Sequence, residues 1–225
     1  MILLILAAIL WVFVHVGVSG SALRGRVVER LGEAGFTIAF SVASVACIGL
    51  LAMAWQGAAT TPLWFAPAWL RWVLAIVMLP AFVLFACSLI GNPTAMGGAG
   101  LLAEGPRGIQ RVTRHPMLNA FAIWAAVHVV GNGDSAAIIF FGAFLVTAVA
   151  GMPSIDAKMA KRHPDSWPGF AAASSILPFG AILAGRNRLD LGEIGWIAPL
   201  AGVVLWAGFL HSHRHIFGVP ALILG

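Results

Sequence analysis

The sequence contains few charged residues. Only 9% of its 225 residues are Asp, Glu, Lys or Arg, whereas 60% are hydrophobic. Soluble domains carry about a quarter charged residues, so most of this protein's surface must face something other than water. The composition therefore predicts an integral membrane protein in contact with the lipid bilayer. The net charge of +5 then indicates loops beside anionic lipid and not a nucleic-acid surface.

Tyrosine is absent and cysteine is scarce. Without tyrosine, no phenol can serve as an acid, a base or a radical relay. Cys47 and Cys87 both lie within apolar runs, which is typical of small buried side chains and not of a disulfide or a metal site. No Lys or Arg precedes the apolar stretch 1–20, and no Ala-x-Ala cleavage signal follows it, so we expect a retained first span.

Long apolar segments predict an all-α fold, a polytopic transmembrane helix bundle forming a single domain over residues 1–225. A helix needs about 20 apolar residues to cross a bilayer. The segment 174–185 is apolar but too short, and Pro178 interrupts it, which predicts a re-entrant or interfacial piece. About six spans are expected, at 2–22, 34–55, 69–91, 116–130, 135–153 and 192–212.

Positive charge falls on alternate links between the predicted spans. Of the 13 Lys and Arg residues, 11 follow spans one, three and five, and only Arg71 and Arg214 lie on the opposite side. The positive-inside rule places the three basic links in the cytoplasm. We therefore expect both termini on the opposite, outer side of the membrane.

Two histidines, His15 and His128, lie inside predicted spans, where ionisable side chains are costly and mark functional sites. One interpretation is a neutral imidazole that is hydrogen-bonded to a neighbouring helix. The other is a pair of ligands for one haem iron. Measured from the basic side, His15 lies about 14 Å and His128 about 20 Å along their helices. The difference of about 6 Å is about one helical turn, which a tilt could absorb.

The motif around His115 predicts an anion site. Pro116 opens the fourth span, so His115 occupies its N-terminal cap beside Arg111 and Arg114. A helix N-terminus with two arginines suits a carboxylate, a haem propionate or a phosphate. Ordinary positive-inside charge beside a lipid headgroup is the alternative. The alternating histidines at 211–215 could bind a divalent metal, although such terminal clusters are more often adventitious.

Three motifs resemble those of NnrU-family membrane proteins, and together they cover roughly residues 10 to 180. The resemblance implies haem b held by His15 and His128, with Arg111, Arg114 and His115 near it. It also implies a role in denitrification or nitric oxide metabolism, or cis–trans isomerisation of a polyene, as in the related plant 15-cis-zeta-carotene isomerases. For a bacterial member of the family, we expect a location in the inner membrane with both termini in the periplasm. A small hydrophobic substrate or gas ligand, and a membrane-protein partner or a second copy, would fit these roles. The motifs are HVGVSGSALRGRVVERLGEAGFTIAFSVASV, GIQRVTRHPMLNAFAIWAAVHVVGNGD and SIDAKMAKRHPDSWPGFAAASSILPF.

This chain departs from the isomerase-like pattern and from the methyltransferase pattern at one place each, and other functions therefore stay open. The isomerase-like pattern has histidines in the span after the Asn-Gly motif, whereas this chain has FGAFLVTAVAG there. The Arg-His-Pro motif is also similar to that of isoprenylcysteine carboxyl methyltransferases and sterol reductases, but the loop with Asp156 lacks the methyltransferases' Glu-Glu pair. The alternatives are a non-catalytic accessory or sensor of a respiratory complex, and an enzyme resembling S-adenosylmethionine-dependent methyltransferases.

Overall fold

The computed structural model describes residues 1–90, 92, 94 and 99–223, and most of these residues are helical. No strand occurs among them, although an isolated bridge pairs Pro62 with Asp134. The helices are α1 (Ile2–Val12) with a π-helical continuation (Phe13–Val18), α2 (Ala22–Gln56), α3 (Ala68–Ser88), a 3₁₀ turn (Ala99–Glu104), α4 (Ile109–Val112), α5 (Pro116–Asn132), α6 (Ser135–Arg162), α7 (Trp167–Ala172), α8 (Gly180–Leu183), α9 (Leu191–Ile194) and α10 (Ile197–Phe217).

The long helices pack as neighbours in the order α10, α3, α5, α6, α1 and α2. The largest cluster of buried apolar side chains joins α1, α2 and α6 through residues such as Leu4, Trp11 and Leu51. Large apolar side chains also cover the outside, for example Val45 at 71% exposure and Ile76 at 62%. Helices that are apolar on their outer as well as their inner faces are those of a membrane-embedded bundle.

Three helices, α2, α3 and α6, are long and apolar enough to cross a membrane, and the continuous helix Ile2–Val18 is a shorter apolar one. Each of the six segments that the sequence predicts as spans contains a helix among its described residues. Membrane crossing by the first, fourth and sixth of them stays a prediction. The segment 174–185 contains the short helix α8, and its re-entrant position likewise stays a prediction.

The structure differs from the sequence analysis at the basic ends of two helices. The residues expected in a link after the first span belong to α2, which begins at Ala22 and is broken at Gly32, where φ is 72° and ψ is 169°. The helix α6 likewise continues past residue 153 to Arg162. Arg, Lys and Glu are good helix formers, so a change in hydropathy marks the edge of the membrane and not the end of the helix.

The bundle has two distinct ends. The basic end contains the start of α5 and the last turns of α6, where Lys158 Nζ donates to the carbonyl of Ser19 at 2.9 Å. At the far end, the loop before α3 covers the α5–α6 turn: the indole N–H of Trp64 donates to Val130 O at 2.9 Å. Gly133 closes that turn with φ of 69°, and a Cβ there would lie 2.3 Å from Trp64 O. Only glycine therefore fits this turn.

We predict that Gly202→Ala destabilises the protein, because α10 packs on the backbone of α3 at this point. A Cβ on Gly202 would lie 2.7 Å from Val83 Cα and 2.8 Å from Phe82 O, and backbone cannot move aside as a flexible side chain can. Overpacking of this kind costs about 1–3 kcal/mol. Thermal unfolding in detergent measures the loss.

The matched control is Gly208→Ala in the same helix. No atom would lie within 4 Å of its Cβ, so we expect equal or slightly higher stability. Equal melting temperatures for the two variants would contradict the close α3–α10 packing.

Candidate functional site

The junction between α4 and α5 forms a buried polar centre at the basic end. Thr113 is extended, with φ of −156° and ψ of 142°, and Pro116 begins α5 two residues after Arg114. The Thr113 hydroxyl donates to Ile176 O at 2.7 Å and accepts from the amide of His115 at 3.2 Å and from Asn119 Nδ2 at 3.0 Å. The Arg-His-Pro motif is thereby fixed between α5 and the 174–185 segment.

Asp156 on α6 binds both charged members of this motif. Arg114 donates from Nε to Asp156 Oδ1 at 3.0 Å and from Nη2 to Oδ2 at 2.5 Å, which is a bidentate ion pair. His115 is 1% exposed, and its Nε2 lies 2.7 Å from Asp156 Oδ1. Because a carboxylate accepts, Nε2 carries a proton in this contact. His115 Nδ1 is buried and has no hydrogen-bond partner among the described residues.

Arg111 is paired with the short helix α9. Its Nε and Nη2 donate to Glu193 at 2.6 and 2.8 Å, and its Nη1 donates to Asn187 Oδ1 at 2.8 Å. The amide of Gly108 donates to Glu193 as well, at 2.9 Å. Arg111 and this amide lower the pKa of Glu193 to about 2. The hydrogen bonds to Glu193 in turn raise the pKa of Arg111.

The structure brings the predicted anion-site residues together but gives them carboxylate partners. Arg111 binds Glu193, and Arg114 and His115 bind Asp156. A propionate or phosphate at this end would have to compete with these two carboxylates. The role of Arg111, Arg114 and His115 in binding a cofactor stays a prediction.

His15 lies in the π-helical segment that continues α1, and π-helical turns often mark functional sites. Its Nδ1 lies 2.9 Å from Trp11 O, and its Nε2 lies 3.2 Å from the Ser44 hydroxyl. A carbonyl only accepts, so Nδ1 carries the proton and Nε2 accepts from Ser44. The Ser44 hydroxyl also donates to Phe40 O at 2.7 Å. Its single proton serves two acceptors, so the Nε2 lone pair of His15 is only partly engaged.

His128 lies near the far end of α5. Its Nδ1 is 2.8 Å from Trp124 O, and its ring centroid is 4.7 Å from that of Phe141 and 5.2 Å from that of Trp124. Its Nε2 has no hydrogen-bond partner among the described residues. This nitrogen therefore has an unused lone pair in aromatic surroundings.

Helix α6 shows how far apart His15 and His128 lie along the bundle. The ring of His128 packs on Phe141. A Cβ on Gly20 would lie 3.1 Å from Ser154 Oγ, and Gly20 follows His15 by five positions. The two imidazoles are thus about eight positions apart on α6, or about 12 Å.

This offset exceeds the difference of about 6 Å in depth between His15 and His128 that the sequence predicts from a helical rise of about 1.5 Å per residue. Three rings connect the two histidines: Trp11 contacts His15 and Phe144, and Phe144 contacts Trp124. The described rings of His15 and His128 are therefore not in direct contact. Their joint ligation of one iron stays a prediction.

The family model for NnrU protein matches residues 3–221 of the chain. The protein belongs to the NnrU family. Two curated relatives are 15-cis-zeta-carotene isomerases of chloroplasts, one from Zea mays and one from Arabidopsis thaliana, each 29% identical to the chain over 82 residues. The matched stretch covers 36% of this chain but only 22% of each relative. No solved structure matches the chain.

The family membership predicted from the three motifs is confirmed. Sequence reasoning missed the roles of Asp156 and Glu193 in this NnrU-family chain. Asp156 follows the Arg-His-Pro motif by more than 40 positions and Glu193 follows Arg111 by 82, so neither pairing is local. The signal that could have found them was the scarcity of acidic residues. The chain has only eight Asp and Glu residues, so few carboxylates are available as partners for its arginines.

We predict that Asp156→Ala strongly destabilises the protein, because it leaves Arg114 and His115 buried without their carboxylate. Breaking a buried charge pair by removing one partner costs about 3–5 kcal/mol. Denaturant or thermal unfolding in detergent gives the value. Asp165→Ala is the matched control, since Asp165 is exposed and forms no salt bridge among the described residues. A loss no greater than that of the control would refute the structural role of Asp156.

The Arg111–Glu193 pair predicts an acid-labile attachment of α9. The folded pKa of Glu193, about 2, lies below its ordinary value of 4.5, so the pair contributes stability above pH 4.5. That contribution declines as the pH falls from 4.5 towards 2. We expect Glu193→Gln to lower the melting temperature at pH 7, and the difference from the wild type to shrink on acidification through this range. A pH-independent difference would contradict the assignment.

Proposed function

We propose that this NnrU-family protein binds haem b within the membrane, where His128 would hold it, and isomerises a cis double bond of a small apolar polyene. The observation that carries the proposal is the state of His128. Its Nδ1–H is donated to Trp124 O, and its Nε2 has no partner among the described residues. A metal-ligating histidine typically donates its other ring N–H to a carbonyl in this way.

Haem b fits the chemistry of this donor, because neutral imidazole is a common axial ligand of haem iron. The aromatic rings of Trp124 and Phe141 surround the imidazole and keep it in an apolar environment. When bound, the haem supplies a redox-active iron whose potential its axial ligands set. The resemblance assigns the second ligand to His15, whose lone pair the Ser44 hydroxyl would have to release.

The helices α5 and α6 offer few groups for proton transfer near His128. Between Pro116 and Ile155, Asp134 is the only charged residue, and it caps α6 through its hydrogen bond to the amide of Ala137. General acid–base catalysis needs a titratable group within hydrogen-bond reach of the reacting atoms. Isomerisation of a double bond exchanges no water, proton or electron overall. It therefore suits an apolar site better than hydrolysis or group transfer does.

Apolar grooves on the bundle suit a hydrocarbon substrate that arrives through the lipid. One groove of about 820 Å³ is bounded by α3, α4 and α10, and its walls include Leu84, Phe179 and Trp196. Another of about 520 Å³ lies between α1 and α6. Neither groove is lined by His15 or His128, so a substrate in either would have to move within the bundle to reach haem. The substrate class is taken from the names of the curated relatives.

A role in denitrification or nitric oxide metabolism, or as a non-catalytic accessory of a respiratory complex, would use the same haem with a gas ligand or a partner protein. A methyltransferase-like enzyme would instead use the basic end for its cofactor. These roles are the other outcomes of the activity test, since haem without turnover favours the accessory and binding of S-adenosylmethionine favours the methyltransferase.

We predict that the protein purified in detergent has a haem absorbance band that shifts on reduction with dithionite, and that His128→Ala loses most of this haem. Removal of an axial ligand leaves the iron with weaker attachment; loss of even a supporting hydrogen-bond partner weakens metal binding about 10–100-fold. The pyridine haemochrome assay gives the ratio of haem to protein. His215→Ala, an exposed histidine of α10, is the control.

Incubation of the haem-loaded protein with 15-cis-zeta-carotene in liposomes, followed by chromatography of the isomers, tests the reaction. We expect the wild type and His215→Ala to convert the 15-cis bond and His128→Ala not to do so. Equal haem content in all three proteins would remove His128 from the site.

A further inference from the structure

A second histidine lies beside His128 at the far end of the bundle. It is His213 of α10, whose ring centroid is 6.4 Å from that of His128, with the two ring planes inclined by 22°. The two side chains come from positions 85 residues apart, on helices that both pack against α3. The sequence analysis placed His213 only in a terminal cluster of alternating histidines. The fold singles it out from that cluster, because His211 and His215 are exposed.

The end of α10 fixes the orientation of His213. Gly218 terminates the helix in a left-handed conformation, with φ of 76°, which returns the chain towards the last turn. Val219 O then accepts a hydrogen bond from His213 Nδ1 at 2.7 Å. Trp124 O accepts from His128 Nδ1 at 2.8 Å. Each imidazole therefore presents an Nε2 lone pair, and neither Nε2 has a hydrogen-bond partner among the described residues.

Two imidazoles do not complete the coordination shell of a free divalent ion. Structural and catalytic zinc sites use three or four protein ligands. Within the described parts of the chain, no group of three or more His, Cys, Asp or Glu could hold one ion. A metalloporphyrin brings its own equatorial nitrogens and requires only axial ligands. Two axial imidazoles with bonds of about 2 Å have ring centres about 6 Å apart, close to the observed spacing.

The far end also contains two arginines without carboxylate partners. Arg214 follows His213, and Arg71 lies in the first turn of α3, where its Nε donates to Ala66 O. The indole of Trp206 donates to Ala75 O at 2.8 Å, which aligns the antiparallel helices α10 and α3 and brings residue 71 within about one turn of His213. Among the described residues neither arginine forms a salt bridge, unlike Arg111 and Arg114 at the basic end.

We propose that His128 and His213 are the two axial ligands of the haem in this chain, with its propionates beside Arg71 and Arg214. This inference rests on the proposed haem function. It assigns the second ligand to His213 instead of His15, and moves the propionates from the basic end to the far end. Aromatic rings on both sides suit a porphyrin, since Phe141 lies 4.7 Å from His128 and Phe217 lies 4.8 Å from His213.

Absorbance and electron paramagnetic resonance spectra of the oxidised full-length protein test the ligand pair independently of activity. We expect a six-coordinate low-spin spectrum for the wild type, because two imidazoles give a strong axial field. His213→Ala should lose the low-spin signal and gain a five-coordinate high-spin one. His15→Ala should keep the wild-type spectrum. His211→Ala and His215→Ala, from the same helix end, are the matched controls and should also keep it.

His213→Gly with added imidazole distinguishes loss of a ligand from misfolding. Return of the low-spin spectrum with imidazole supports the pair, and a haem-loaded variant that never regains it contradicts the pair. A low-spin signal that disappears in His15→Ala but persists in His213→Ala overturns the inference and leaves the haem function intact. Wild-type protein that contains no haem, or only a bare divalent ion by elemental analysis, rejects the haem function itself and the ligand pair with it.

Discussion

The carboxylate of Asp156 is the contact on which the arrangement of the bundle depends. It accepts hydrogen bonds from Arg114 and from His115, whose ring is almost fully buried, and so it joins the start of α5 to the last turns of α6. Buried charges require partners, because an unpaired ion in such surroundings is several kcal/mol less stable. The contact fixes the register of the two antiparallel helices at one end. That register places His128 opposite Phe141 at the other.

The positions of the long helices could be read from the sequence, and their ends could not. Apolar runs reveal which residues prefer lipid, and each predicted span is a helix. The helix α2 nevertheless begins at Ala22 and α6 ends at Arg162, because basic residues beyond the lipid remain good helix formers. The break in α2 at Gly32 could not be predicted either, because a single glycine within a charged stretch does not change the hydrophobic pattern of the sequence. Only the backbone conformation, with φ of 72°, reveals it.

The candidate site was predictable in its residue types but not in its pairings. Burial alone pointed to His15 and His128, and the Arg-His-Pro motif pointed to the basic end. Which side chain meets which depends on helix register, and the sequence contains no direct record of it. His213 illustrates the point: its position beside His128 depends on the packing of α3 between α5 and α10. The chain thus separates two polar regions, a charge-paired centre at the basic end and a histidine pair at the far end.

The π-helical segment Phe13–Val18 determines the orientation of His15. A π turn is equivalent to one extra residue inserted into an α-helix. Deletion of one residue there would restore regular α-helical winding and rotate everything before it by about 100° about the helix axis. Trp11 would then leave the interior that it shares with Phe144. The number of residues in this one turn therefore determines the direction in which the His15 side chain points. A single insertion or deletion there would change that direction.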